Sequence, residues 1–252
     1  MSAIVVDRVT KRFALAGNKE GVLALSDLSL SVAHGEFVAL LGPSGCGKST
    51  LLRLVAALEQ PTAGTVSVDG AAPGLMSASH ALGVAFQDHA LLPWLSVRDN
   101  VALPFRIAGR RMDEAAVSRL IELVGLTRFA GARPKQLSGG MRQRASIARA
   151  LVLDPEVLLL DEPFGALDAV TRRQMNVELQ RIWSARRITT LLITHSVDEA
   201  LFLADRVVVM SGRPGRILRE VEVPFGRPRE PSVMRGEAFH RLVDDLTEAL
   251  ET

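Results

Sequence analysis

The chain has no tyrosine, one cysteine and four lysines in 252 residues. A single cysteine, Cys46, excludes an intramolecular disulfide and fits a reducing compartment. Positive charge rests almost wholly on arginine. With 30 basic and 28 acidic residues the formal net charge is only +2. No long basic run exists, so no nucleic-acid partner is expected. No run of about 18 apolar residues exists, so nothing is expected to span a bilayer. The start, "MSAIVVDRVTKRF", has no apolar signal-peptide region. Repeats and low-complexity segments are missing too. A soluble, cytoplasmic chain is therefore expected. Its hydrophobic content of 48% suits one large domain, or a domain with an inserted lobe.

Apolar patterning supplies the elements. "VTKRF" and "LSDLSLSVAHGEFVALLG" predict short strands separated by turns. The alternation in "LSLSV" suits a half-exposed antiparallel strand. The continuous run "FVALLG" suits a buried strand. "GKSTLLRLVAALEQP" predicts a helix with Leu51, Leu54, Val55 and Leu58 on one stripe. "AGTVSVDG" alternates as a strand. From about residue 90 to 153 the pattern turns helical. "MDEAAVSRLIELVGL" has Asp113 as N-cap, a stripe of Val117, Leu120, Ile121 and Val124, and Gly125 as stop. Strands return at 157–161, 189–194 and 206–210, with helices near 169–187 and 196–204 between them. Such alternation predicts an α/β core around a mostly parallel sheet. After residue 212 Pro and Gly interrupt the chain, and a short helix follows from about 236.

"GPSGCGKST" fits the pattern G-x-x-x-x-G-K-[ST] between a predicted strand and helix. Its residues are Gly42, Pro43, Ser44, Gly45, Cys46, Gly47, Lys48, Ser49 and Thr50. Such a loop turns backbone N–H groups into one concavity that binds phosphate oxygens, and the helix dipole adds to it. Lys48 is expected on the β- and γ-phosphates, and the Ser49 hydroxyl on Mg²⁺. Cys46 reads as a small side chain in a tight loop.

"VLLLDEP" places Asp161 and Glu162 at the end of an apolar strand, where open α/β sheets bind ligands. Asp161 suits the Mg²⁺ shell. Glu162 suits a base that takes a proton from water; a solvated acidic turn is the alternative. His195 ends "TTLLITH" on a strand predicted beside that of Asp161. It reads as a γ-phosphate contact or as a satisfied strand-end histidine. Gln87 in "GVAFQDH" can ligate Mg²⁺ or orient water. "LSGGMRQR" opens a helix at Ser138, Gly139 and Gly140. Its free N–H groups form a second anion-binding end, 90 residues beyond Lys48.

In this order the motifs resemble those of the ATP-binding subunits of ATP-binding-cassette (ABC) transporters, over about residues 3–220. The Walker A loop is "GPSGCGKST", the Q-loop "FQDHALLPWLSVRDNV" and the signature "LSGGMRQR". Walker B is "VLLLDEPFGALD", running into a D-loop at Ala166–Asp168, and the H-loop is "LLITHSVDEA". The resemblance implies a P-loop NTPase core with an N-terminal antiparallel β subdomain and an inserted helical subdomain. The core is residues 1–88 and 154–220, the helical subdomain 89–153, and a short C-terminal extension 221–252.

The resemblance also implies roles. Lys48 and Ser49 bind phosphate and Mg²⁺, Gln87 senses the γ-phosphate and metal, and Asp161 holds Mg²⁺ through water. Glu162 is the general base and His195 touches the γ-phosphate. Phe13 stacks on adenine in place of the usual tyrosine, with a core Phe as the alternative. Ser138, Gly139 and Gly140 cover the ATP of an opposing copy in a head-to-tail, ATP-dependent homodimer. Integral membrane permease subunits dock near Leu91, Leu92, Pro93 and Trp94, unless Trp94 packs inside the helical lobe. A periplasmic or lipid-anchored solute-binding protein takes part indirectly, and the chain sits on the cytoplasmic face of the inner membrane. "LLPWLSVRDNVALP" and "DEALFLADRVVVMSGRPGRI" resemble the nitrate, sulfonate and taurine importer branch. A soluble non-transport ABC ATPase and a P-loop small-molecule kinase are the competing readings.

Overall fold

The computed structural model describes residues 2–15 and 18–251. β1 (Ser2–Leu15) and β2 (Asn18–Ala33) pair antiparallel, with Phe13 opposite Val22. Turn residues predict short strands here; the structure holds one long hairpin. The difference lies in bulges. Arg8 and Asp27 take left-handed φ values of 47° and 50°, beside shifts in register on either side of Val9. Each bulge bends the ladder without ending it.

β3 (Phe37–Leu41) is five consecutive buried residues, and the phosphate loop joins it to α1 (Lys48–Val55). α1 buries Leu51, Leu52, Leu54 and Val55. It ends before Leu58, which is 59% exposed and off the predicted stripe. Ala57, at φ 60°, turns the chain out of the right-handed helix at that point. β4 (Ala63–Val68) pairs with β1, completing a three-stranded antiparallel sheet in the order β2-β1-β4.

The short helix α2 (Pro73–Ala78) precedes β5 (Leu82–Ala85). Three helices follow without a strand: α3 (Val97–Ile107), α4 (Glu114–Leu123) and α5 (Gly139–Leu151). Asp113 caps α4 by accepting from Ala116 N at 3.0 Å, and Gly125, at φ 67°, lies just past its end. Val117, Ile121 and Val124 are buried.

Strand and helix then alternate: β6 (Val157–Asp161), α6 (Ala169–Arg186), β7 (Thr189–Ile193), α7 (Val197–Leu203) and β8 (Arg206–Met210). β9 (Ile217–Glu222) and α8 (Glu237–Glu251) close the chain. The main sheet has the order β5-β6-β7-β3-β8-β9. Its strands are parallel except β9, which runs antiparallel to β8. This is the α/β P-loop architecture expected.

Both faces of the central strands β3, β6, β7 and β8 are covered, which is why these four read as apolar runs. Phe37, Ala39 and Leu41 face α3–α8, while Val38 and Leu40 face α1 and the antiparallel sheet. α8 brings Phe239 and Leu246 into the first core. A clasp holds the segment leading to α8. Buried Arg229 donates to Leu201 O, Phe202 O and Ala204 O at 2.7–3.1 Å, satisfying carbonyls at the end of α7. Burial lowers its pKa to about 10. Gln180 brackets its main chain, accepting from Arg229 N and donating to Arg229 O.

Candidate active site

The loop between β3 and α1 depends on a glycine at 47. Its φ is 107°, and a Cβ there would lie 2.7 Å from Leu25 Cδ2. Gly47 precedes α1 without a side-chain cap, and the first residues of that helix, Lys48, Ser49 and Thr50, border the pocket. Lys48 is buried and folds back over the loop. Its Nζ donates to Gly42 O at 2.6 Å and Pro43 O at 3.0 Å, with Cys46 Sγ 3.8 Å away.

β6 and β7 are neighbours, with Asp161 in register with Ile193. Their carboxyl ends therefore present Asp161, Glu162 and His195 together. Glu162 takes a left-handed φ of 47°, a strained conformation for a non-glycine residue. Its N–H is fixed to Ile193 O at 2.9 Å. The turn leaves Glu162 Oε2 3.4 Å from His195 Nδ1 and 3.3 Å from Gln87 Nε2, which donates to it.

Ser49 Oγ donates to Asp161 Oδ1 at 3.1 Å. A hydroxyl and one carboxylate converging at a phosphate loop suit Mg²⁺, which keeps waters and phosphate oxygens as its other ligands. Burial raises the Asp161 pKa, while the Ser49 hydrogen bond opposes the rise. No cluster of three or more His, Cys, Asp or Glu suited to a metal occurs among the described residues.

The loop and the strand ends border a cavity of about 610 Å³. Phe13, Ser44, Gly45, Gly47, Lys48, Ser49, Thr50, Gln87, Glu162 and His195 all border it. Phe13 is half-buried and outside both cores, with Lys11 Nζ 4.8 Å from its ring centroid. Gly42, Pro43, Cys46 and Asp161 do not border it. Ser138, Gly139 and Gly140 do not border the cavity. Ser138 Oγ accepts from Met141 N at 3.2 Å and caps α5, and Gly140 lies against Leu167, where a Cβ would stand 2.5 Å from Leu167 Cδ2.

The profile of the ABC transporter family matches residues 25–165. The chain belongs to the ABC transporter family. It is 52% identical to the nitrate import ATP-binding protein of Synechococcus elongatus, over 91% of this chain and 84% of that one. It is 48% identical to the taurine import ATP-binding protein of Pseudomonas aeruginosa, over 90% and 86%. It is 51% identical to an aliphatic sulfonates import ATP-binding protein of Pseudomonas aeruginosa, over 86% and 90%. A dimeric post-hydrolysis ATP-binding cassette bound to ADP and phosphate superposes with a TM-score of 0.81 at 30% identity. That match covers 88% of this chain and all of the other. This ABC protein is accordingly an ATP-binding ATPase.

Sequence patterning overlooks three residues on the cavity of this ABC ATPase: Val22, Ala24 and Arg213. Val22 reaches it by pairing with Phe13, so only the hairpin register reveals it. Arg213 comes from the turn between β8 and β9, and its only signal is the turn-forming "GRPG". Among the described residues no helix is long and apolar enough to cross a membrane.

Proposed function

We propose that this chain is the ATP-hydrolysing subunit of an importer for a small anionic or zwitterionic solute, such as nitrate, an aliphatic sulfonate or taurine. The observation that carries the reading is its identity of about half to import ATP-binding proteins of those solutes. Two copies assemble head to tail. Each ATP lies between the phosphate loop of one copy and Ser138, Gly139 and Gly140 of the other. The separation of Ser138–Gly140 from the cavity of their own chain supports this arrangement.

In this reading the loop N–H groups and Lys48 hold the phosphates, and Phe13 stacks on the base. Ser49, Gln87 and, through water, Asp161 hold Mg²⁺, which supplies charge neutralisation on the phosphate oxygens. Glu162 accepts a proton as the water oxygen bonds to the γ-phosphorus and the bond to the β–γ bridging oxygen breaks. His195 contacts the γ-phosphate and, with Gln87, orients the Glu162 carboxylate.

Residues 1–88 and 154–220 then serve as the nucleotide-binding core, 89–153 as a helical subdomain and 221–252 as a C-terminal extension. Permease subunits dock on the helical subdomain. Trp94 is 65% exposed and Ile107 69% exposed, beside Leu92, Leu95 and Leu103. Apolar side chains left in solvent in this way suit a short helix of a membrane partner. The complex sits on the cytoplasmic face of the inner membrane and takes solute from a periplasmic or lipid-anchored binding protein. The test is affinity capture from membranes, followed by ATPase assays with nitrate, taurine and an alkanesulfonate. Co-capture of an integral membrane protein and stimulation by one solute with its binding protein are expected. Acceptor-free phosphate release with no membrane partner would leave the soluble ATPase instead.

A further inference from the structure

We infer that Arg213 is a further nucleotide-contacting residue, whose guanidinium brings a second side-chain cation, after Lys48, to the phosphates in this cavity. Arg213 lines the cavity together with Phe13, Gly45, Lys48 and Glu162. Its Nε and Nη2 both reach Gly45 O, at 3.3 Å each. One carbonyl shared at that distance is a weak anchor for a group with five N–H donors. Among the described residues, Nη1 has no acceptor and no acidic side chain lies within ion-pair distance. An unpaired guanidinium on the wall of an anion cavity suits phosphate, whose oxygens match its planar fork.

The turn that carries it is built into the site. Gly215 N donates to Ala24 O at 2.9 Å, and Ser26 N donates to Gly215 O at 3.1 Å. A Cβ at Gly215 would stand 2.1 Å from Cys46 O. The turn between β8 and β9 is thus pressed against both β2 and the phosphate loop. The Arg213 side chain has a fixed origin and a short path to the cavity. Lys48 is buried over Gly42 O and Pro43 O while Arg213 is exposed, so Arg213 is the more accessible of the two cations.

The inference rests on nucleotide binding in this cavity and is independent of the transported solute. It is tested by titrating the purified chain with MgATP and MgADP at low and high salt. Wild type, Arg213→Ala and Arg213→Lys are compared, and the melting temperature of each is measured without nucleotide. Arg213→Ala is expected to weaken MgATP binding roughly 3- to 20-fold, as for an exposed charge-assisted contact. The loss should shrink at high salt. Arg213→Lys should recover part of it, because the charge remains and the fork is lost. Melting without nucleotide should not change. Unchanged MgATP affinity in Arg213→Ala would overturn the inference. So would a salt-independent loss with a lower melting temperature, which would make Arg213 a prop for the loop at Gly45. Failure of wild type to bind MgATP would instead remove the nucleotide reading of the cavity.

Discussion

The carboxylate of Glu162 stands 3.4 Å from Nδ1 of His195, across the ends of two parallel strands. Glu162 also accepts from Gln87 Nε2, so two neighbours converge on one oxygen of the proposed base. Its backbone holds the strained left-handed φ that aims it there. Orientation of this kind matters for proton transfer, which needs hydrogen-bond reach to the attacking water.

Glu162→Gln keeps the shape and the contact with Gln87 but cannot accept a proton. MgATP binding is expected to stay within about twofold, while phosphate release falls about 10²–10⁴-fold. Nucleotide titration and single-turnover phosphate release on the same preparation check this. Turnover near the wild-type rate would remove Glu162 from the role of base.

Ser138 caps α5 through its hydroxyl and lies outside the cavity of its own chain. Ser138→Arg places a long cation where an opposing copy would seat its nucleotide, and removes one N-cap costing about 1 kcal/mol. Monomer binding of MgATP is expected to persist, while ATP-dependent dimerisation is lost. Sedimentation with and without MgATP reads this directly, with Glu162→Gln as the background that accumulates the dimer. A variant that still dimerises would count against the shared site.

The central strands β3, β6, β7 and β8 are legible because burial on both faces leaves them unbroken apolar runs. The phosphate loop and the cap at Ser138 are legible because their geometry is local. β9 is hidden because it is an edge strand, with Leu218, Arg219 and Glu220 exposed. The length of the β1–β2 hairpin is hidden because bulges absorb residues that otherwise mark turns. Arg213 is hidden because its place depends on how the β8–β9 turn packs on β2, which no short pattern encodes.

Glu199 gives the fold a pH dependence. It lies in the first turn of α7, buried, and its N–H donates to Ser196 Oγ at 3.3 Å. Its Oε1 has no hydrogen-bond partner among the described residues. Burial pushes its pKa up from 4.5 to about 7; the Thr194 hydroxyl and Arg172 oppose the shift, and Glu162 adds to it. The folded state therefore holds this proton more tightly than the unfolded chain does. Stability falls as pH rises from about 4.5 to 7, where the native carboxyl ionises, and is flat for this group above that. The full cost is on the order of 3 kcal/mol. Glu199→Gln keeps the shape and removes the charge. It should exceed wild type by about 1 kcal/mol at pH 5 and by up to about 3 kcal/mol at pH 8. Urea unfolding of both proteins at pH 5, 6.5 and 8 measures the difference, in which every other titrating group common to the two cancels. Parallel curves across that range would mean that Glu199 stays paired in the folded chain, through Arg172 or Thr194, more strongly than burial opposes it.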